Sequence, residues 1–158
     1  MTKLSAGLVV FRRRVPSRSL ELFLVRPGGP FFRAKDDGFW SIPKGQVEEG
    51  DEPLARARKE FQEETGFAPP EGNFLPLGEV RQKGGKRVVA WAIEGDCDPG
   101  AIQSNTFEME WPPRTGRRQK FPEVDRAGFF PPDLARRKLN PAQAELVARL
   151  ENELKNED

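Results

Sequence analysis

The chain has 158 residues, enough for one domain with a core of its own, and its formal net charge of +1 excludes bulk electrostatic attraction to nucleic acid or membrane. His and Tyr are absent and Cys97 is the one cysteine, which excludes a histidine base, histidine-held zinc and an intrachain disulfide. No run reaches the length of a membrane span and the N-terminus lacks a signal-peptide apolar core, so the expectation is a cytoplasmic protein with no membrane association and no stable nucleic-acid partner.

Residues 4–12 (LSAGLVVFR) read as a strand with a buried apolar run. Residues 20–25 (LELFLV) read as a second strand beside it, across a polar turn containing Pro16. Arg12, Arg13 and Arg14 suit an exposed strand end, with a phosphate contact as the competing reading. The breaker-rich loop 27–38 (PGGPFFRAKDDG) carries Phe31, Phe32, Arg33 and Lys35, which suit either a base and a phosphate or packing under a solvated rim. In residues 39–45 (FWSIPKG), Trp40 and Ile42 alternate with small or polar neighbours as in a short strand. Trp40 is expected in the core, Pro43 ends the strand, and Lys44 and Gly45 begin a turn.

Next comes an acidic loop and the clearest helix of the chain. Asp51 or Glu52 can cap it, and Pro53 suits its first turn, where a missing N–H costs nothing. Residues 54–65 contain no Gly or Pro, and Gly66 suits a left-handed stop. Leu54, Ala57, Arg58 and Phe61 share one stripe, while Glu60, Glu63 and Glu64 fall on a neighbouring one at i, i+3 and i+4. Three like charges near a helix C-terminus repel one another and oppose the dipole, so something positive should offset them. Mg²⁺, with Mn²⁺ as a substitute, suits such a carboxylate set. Alone, the acidic stripe reads first as a solvated helix face, since such runs are common.

The surrounding pattern decides between these readings. Gly45, Asp51, Lys59, Glu60, Phe61, Glu63, Glu64, Gly66 and Phe67 resemble the Nudix box, GX5EX7REUXEEXGU with U apolar. Asp51 stands where the family has Glu and Lys59 where it has Arg; both keep the charge. The resemblance implies that Glu60, Glu63 and Glu64 hold the ions and that one of them can also act as base. It implies that an Asp51–Lys59 ion pair orients the helix and its ligands, with Glu52 as the alternative partner, and that phosphate approaches the backbone closely at Gly45. Asp is shorter than Glu and Lys lacks the planar fork, so a simpler contact is expected. The W-x-x-P-K-G lead-in at residues 40–45 is similar to Nudix proteins acting on dinucleoside polyphosphates and diphosphoinositol phosphates, with Lys44 beside a phosphate oxygen.

Residues 74–81 and 87–93 suit a hairpin closed by the turn KGGK, with Glu79 in its first strand. Residues 94–105 form a loop carrying Asp96 and Asp98. Residues 106–111 (TFEMEW) alternate cleanly as a strand with an acidic face. Residues 114–120 (RTGRRQK) make a basic turn, either solvated or a clamp for phosphates. Residues 123–130 suit a late strand, 134–138 a short helix, and 141–155 a last helix capped by Asn140, with Leu146, Val147, Leu150 and Leu154 on one stripe.

Periodicity alone supports one α+β or α/β domain. The resemblance implies the α/β class, a Nudix α/β/α sandwich with a mixed β-sheet between helices, as a single domain over residues 1–158. It implies a Mg-dependent hydrolase cleaving the pyrophosphate linkage of a nucleoside diphosphate linked to X. The small-molecule substrate would be a dinucleoside polyphosphate, a nucleoside triphosphate or another polyphosphate. Arg33, Lys44 and Gly45 are the substrate-binding candidates, and Glu94, Asp96, Glu110 and Glu123 are alternative bases. The competing class is a non-catalytic Nudix-like module that binds a nucleotide or protein; hydrolysis abolished by Glu63→Gln would separate the two.

Overall fold

A computed structural model describes residues 3–157, so residues 1, 2 and 158 of the expected domain lie outside the described residues. The elements run β1 (Leu4–Arg14), β2 (Ser19–Pro27), β3 (Lys44–Gln46), α1 (Pro53–Thr65), β4 (Leu75–Arg81), β5 (Arg87–Glu94), β6 (Thr106–Glu110), β7 (Arg118–Pro122), β8 (Val124–Phe130), α2 (Pro132–Lys138) and α3 (Glu145–Glu157). The main sheet has the spatial order β4-β5-β1-β2-β8, with β3 beside β1. The β1–β5 pair is parallel and the others antiparallel, so the sheet is mixed. β6 and β7 form a separate hairpin.

The alternating apolar residues of the central strands bury both faces of the sheet. Ala6, Leu8 and Val10 of β1, with Phe23 and Val25 of β2, face Ala57 and Phe61 of α1. Val9, Phe11, Leu22 and Leu24 point the other way, toward Leu139, Leu146, Val147 and Leu150 near α2 and α3. The result is the expected α/β/α layering. Phe61 anchors α1 against Phe23 in an edge-on contact with ring centroids 5.9 Å apart. Burying such a ring contributes about 1.5–3 kcal/mol.

The feature that shapes the site is a split edge on β1. Residues 5–7 of β1 pair with β3, whereas residues 11–14 pair with β2. Residues 41–43 run through the gap between them. The Leu8 N–H donates to the Pro43 carbonyl at 3.1 Å, and Val25 and Ser41 exchange both backbone bonds at 2.9 Å. A Cβ on Gly7 would stand 2.6 Å from the Pro43 oxygen and 2.9 Å from Lys44 Cβ, so glycine is what admits this segment.

Several boundaries correct the sequence expectations. Where alternation predicts a strand at residues 39–43, the chain makes only the bridges Val25–Ser41 and Trp40–Leu139. Lys44 and Gly45, predicted to turn, are strand residues of β3. Pro43 has no N–H to extend a ladder, so regular pairing starts after it. The basic stretch 114–120 is part turn and part strand, because β7 begins at Arg118 and pairs with β6. The last helix is divided. Asn140 caps a 3-10 turn at Pro141–Gln143, and α3 follows from Glu145. The Gln143 side chain turns inward there and is 1% exposed. It accepts from the Ile42 N–H at 3.0 Å and donates to Ser41 Oγ at 3.1 Å, pinning the gap segment from the α3 side.

Candidate active site

α1 begins and ends as its sequence dictates. Glu52 caps it, accepting from the Leu54 and Ala55 N–H groups, and Gly66 closes it at φ 81°. Its buried side chains are Ala57, Phe61, Glu64 and Thr65, so the apolar stripe runs straight into a carboxylate. Glu64 is 6% exposed.

Glu60 and Glu64 lie one helical turn apart, and Glu123, just before β8, joins them from far along the chain. One oxygen from each carboxylate lies within 4.8 Å of the others. Backbone bonds bring Glu123 there. The C-terminal carbonyls of α1 at Glu63 and Thr65 accept from the Asn105 and Gln103 N–H groups, each at 2.8 Å. Asn105 in turn accepts from the Glu123 N–H at 2.9 Å, and Ser104 Oγ accepts from the Val124 N–H at 3.0 Å. Loop 103–105 thus couples the end of α1 to the start of β8.

Burial holds the Glu64 carboxyl well above its ordinary range; the Lys44 ammonium opposes this, and the charges of Glu60 and Glu123 add to it. Glu60 is raised by burial and by Glu63, against the pull of Arg56. Glu123 is raised by burial, Glu60 and Glu63. Lys44 is lowered by burial, which Glu64 opposes. Glu64 Oε2 is buried with no hydrogen-bond partner. An all-carboxylate donor set, mutual repulsion and an orphaned oxygen suit a hard divalent cation. Two Mg–O bonds span about 4.2 Å at most, so the group needs only a small side-chain adjustment or a bridging water.

Gly45 lies directly beneath Glu60: a Cβ built on it would overlap the Glu60 carboxylate. Glu60 also accepts from Arg56 Nη1 at 3.2 Å, while Arg56 Nη2 meets Asp51 Oδ2 at 2.7 Å. The cation partnering Asp51 is therefore Arg56, not Lys59. Lys59 is exposed and forms no ion pair among the described residues, and Glu52 is occupied as the helix cap. Position 59 points off the α1 face that carries Glu60, whereas Arg56 precedes Glu60 by one turn. That i, i+4 relation was the available signal.

A cavity of about 280 Å³ adjoins the carboxylates. Its polar lining includes Lys44, Glu64 and Glu123, and its apolar lining includes Val25, Ile42, Phe32 and Phe107. Phe107 reaches it from the β6–β7 hairpin and lies against Gly29, where a Cβ would stand 2.9 Å from the ring. Sequence reasoning offered Phe32 as one reading of a base contact and put Phe107 on an alternating strand, but no motif singled out either as a cavity residue.

The other candidates fall elsewhere. Glu63 is half-buried beside the group but outside it, with its charge acting on both Glu60 and Glu123. Arg33 is exposed and outside the cavity lining. Of the four alternative bases, Glu123 alone joins the cluster. Glu94 is held by Arg13 and Asp96 by Arg12 at the opposite end of β1, and Glu110 accepts from the Gly116 N–H within the hairpin. Glu79 pairs with Arg87.

The family model for the NUDIX domain matches residues 1–150. The chain is similar to bis(5'-nucleosyl)-tetraphosphatase [asymmetrical] of Rattus norvegicus, 33% identical over 101 residues, covering 57% of this chain and 63% of that protein. It thus spans less than two thirds of the length of that curated relative. Among solved structures it resembles a C. elegans Ap4A hydrolase in a binary complex, with TM-score 0.68 and 17% identity over 96% of this chain and 98% of that one. It also resembles the NUDIX domain of Shewanella oneidensis NrtR complexed with ADP ribose, with TM-score 0.65 and 20% identity over 98% of this chain and 89% of that one. At these identities the structural likeness is one of fold.

Proposed function

The chain belongs to the NUDIX family, and on that premise we propose that it is a single-domain, divalent-metal-dependent hydrolase of the pyrophosphate linkage in a nucleoside diphosphate linked to X. A dinucleoside polyphosphate is the substrate class best supported. The observation that carries the reading is the three-carboxylate group of Glu60, Glu64 and Glu123 around an unpartnered buried oxygen, opening on an aromatic-lined cavity. The curated relative named for tetraphosphatase activity and the W-x-x-P-K-G lead-in support the choice of X.

Glu60, Glu64 and Glu123 would hold Mg²⁺ or Mn²⁺. When bound, the cation would neutralise phosphoryl charge and lower the pKa of a coordinated water. The protein does the rest. Arg56 and Gly45 fix the Glu60 carboxylate from two sides, and the Lys44 ammonium faces the phosphate chain where the cavity meets the carboxylates. Phe32 and Phe107 provide apolar faces for one nucleobase. Glu63 or Glu123 would take the proton of the attacking water; attack at phosphorus breaks the anhydride bond and expels the second phosphate as the leaving group.

The test is product release from diadenosine polyphosphates, nucleoside triphosphates, ADP-ribose and diphosphoinositol phosphates with Mg²⁺, Mn²⁺ and chelator. Chelator-sensitive turnover of dinucleoside polyphosphates is expected. Folded, metal-binding protein that turns over none of them would overturn the hydrolase reading in favour of a binding module.

A further inference from the structure

Phe31 keeps 67% of its surface in solvent on the 3-10 turn that also carries Phe32. The two rings meet edge-on with centroids 5.0 Å apart. Phe32 lines the cavity and Phe31 does not, so Phe31 continues the aromatic wall onto the outer surface. Phe39, 40% exposed, stands 6.5 Å from Phe32 and carries the Lys35 ammonium at 5.4 Å from its ring. Arg33 and Lys35 form no ion pair among the described residues, and the neighbouring Asp36 and Asp37 pair with Lys138 and Arg137 instead.

A lone exposed phenylalanine needs no explanation. Two rings flanking the cavity residue Phe32 on the outer surface, with two cations that have no carboxylate partner among the described residues, suggest a ligand that continues past the cavity. At about 280 Å³ the cavity sits at the lower limit of small-molecule pockets and has room for one nucleoside, not two. A dinucleoside polyphosphate has a second base, joined to the first by a flexible anionic chain. We propose that Phe31 is the stacking platform for this second base, with Arg33 and Lys35 meeting the phosphates that cross from the cavity to it. The proposal rests on the hydrolase reading above. Stacking on an open ring face tolerates any base, and a guanidinium fork suits phosphate oxygens.

The experiment compares KM for diadenosine tetraphosphate with KM for adenosine tetraphosphate, which has the same phosphate chain and lacks the second base. Wild-type protein, Phe31→Ala and Phe31→Trp are measured with Mg²⁺. Loss of one stacked base predicts that the ratio of the two KM values rises about tenfold in Phe31→Ala. Phe31→Trp should hold it within about twofold of wild type, since the larger ring still offers a face. Turnover with an unmoved ratio in Phe31→Ala overturns the platform alone. Wild-type protein that hydrolyses neither compound overturns the dinucleoside polyphosphate reading, and the platform with it. A dimer in sedimentation that Phe31→Ala dissolves, with the KM ratio unmoved, would assign the patch to self-association instead.

Discussion

Replacing Gly45 with alanine should disable the site through one carboxylate. Gly45 is half-buried in β3, and its backbone is held to β1 through the Ala6–Gly45 register position. A Cβ added there would overlap the Glu60 carboxylate, and pairing with β1 at Ser5, Ala6 and Gly7 holds the β3 backbone in place. Glu60 must therefore yield, by about 1 Å, the scale at which a misplaced group costs about 10²-fold in rate. That fold-change corresponds to about 2.7 kcal/mol of transition-state stabilisation. Metal affinity should fall about 10- to 100-fold, as when a ligand loses its support. The assay is kcat/KM across a Mg²⁺ titration, repeated in a Glu60→Ala background. With the long side chain gone, the added methyl has room, so Gly45→Ala should cost nothing further in the double variant. Wild-type metal affinity in Gly45→Ala would refute the reasoning, and so would additive losses in the double variant.

Arg56→Ala should lower both the melting temperature and kcat, because Asp51 and Glu60 lose their shared guanidinium; Lys59→Ala should change kcat less than about twofold, being an exposed surface substitution. Thermal melts and turnover on the two variants check this, and equal effects would reinstate Lys59 as the partner. Glu123→Gln should reduce turnover by about two orders of magnitude, the lower end of the loss when an electrostatic group is removed from an active site. Glu110→Gln, in the hairpin and outside the cluster, should stay within about twofold. Cys97 has its thiol pushed up to about 11 by burial and by the adjoining Asp96 charge, so it stays protonated at neutral pH. Iodoacetamide should modify it roughly 10²-fold more slowly than a free thiol at pH 8, with the rate climbing until the pH nears that value.

How much of this was legible in the sequence follows from how local each feature is. The α1 carboxylates, their cap and their glycine stop sit on one helix, where spacing translates directly into geometry. β1, β2 and the β4–β5 hairpin were legible because each runs long enough to show its alternation. β3 was not: it is three residues long, follows Pro43, and exists only because Gly7 opens the edge of β1 to it. Glu123 could be shortlisted as one of four loop acids, but its selection over Glu94, Asp96 and Glu110 depends on bonds through loop 103–105. Arg56 was hidden for a different reason. The resemblance put the cation at position 59, and helix geometry, which places Arg56 one turn before Glu60, had to override it.

The site also resolves an electrostatic difficulty that the sequence poses. Carboxylates at the C-terminal end of a helix oppose its dipole, and here Glu60, Glu63 and Glu64 share that end with Glu123 added. Part of the opposition is removed by the fold, since the α1 carbonyls of Glu63 and Thr65 are taken by the Asn105 and Gln103 N–H groups. Fixed cations remove more, with Arg56 on Glu60 and the half-buried Lys44 beside Glu64. What remains is concentrated on Glu64, whose Oε2 has no donor and whose carboxyl is held well above its ordinary range. Had evolution needed only a stable helix end, an apolar residue at position 64 would have continued the Ala57–Phe61 stripe at lower cost. On the reading proposed above, a carboxylate stands there to meet a mobile positive charge. The same burial that disfavours ionised Glu64 without an ion strengthens its attraction to one, because both effects arise from the exclusion of water.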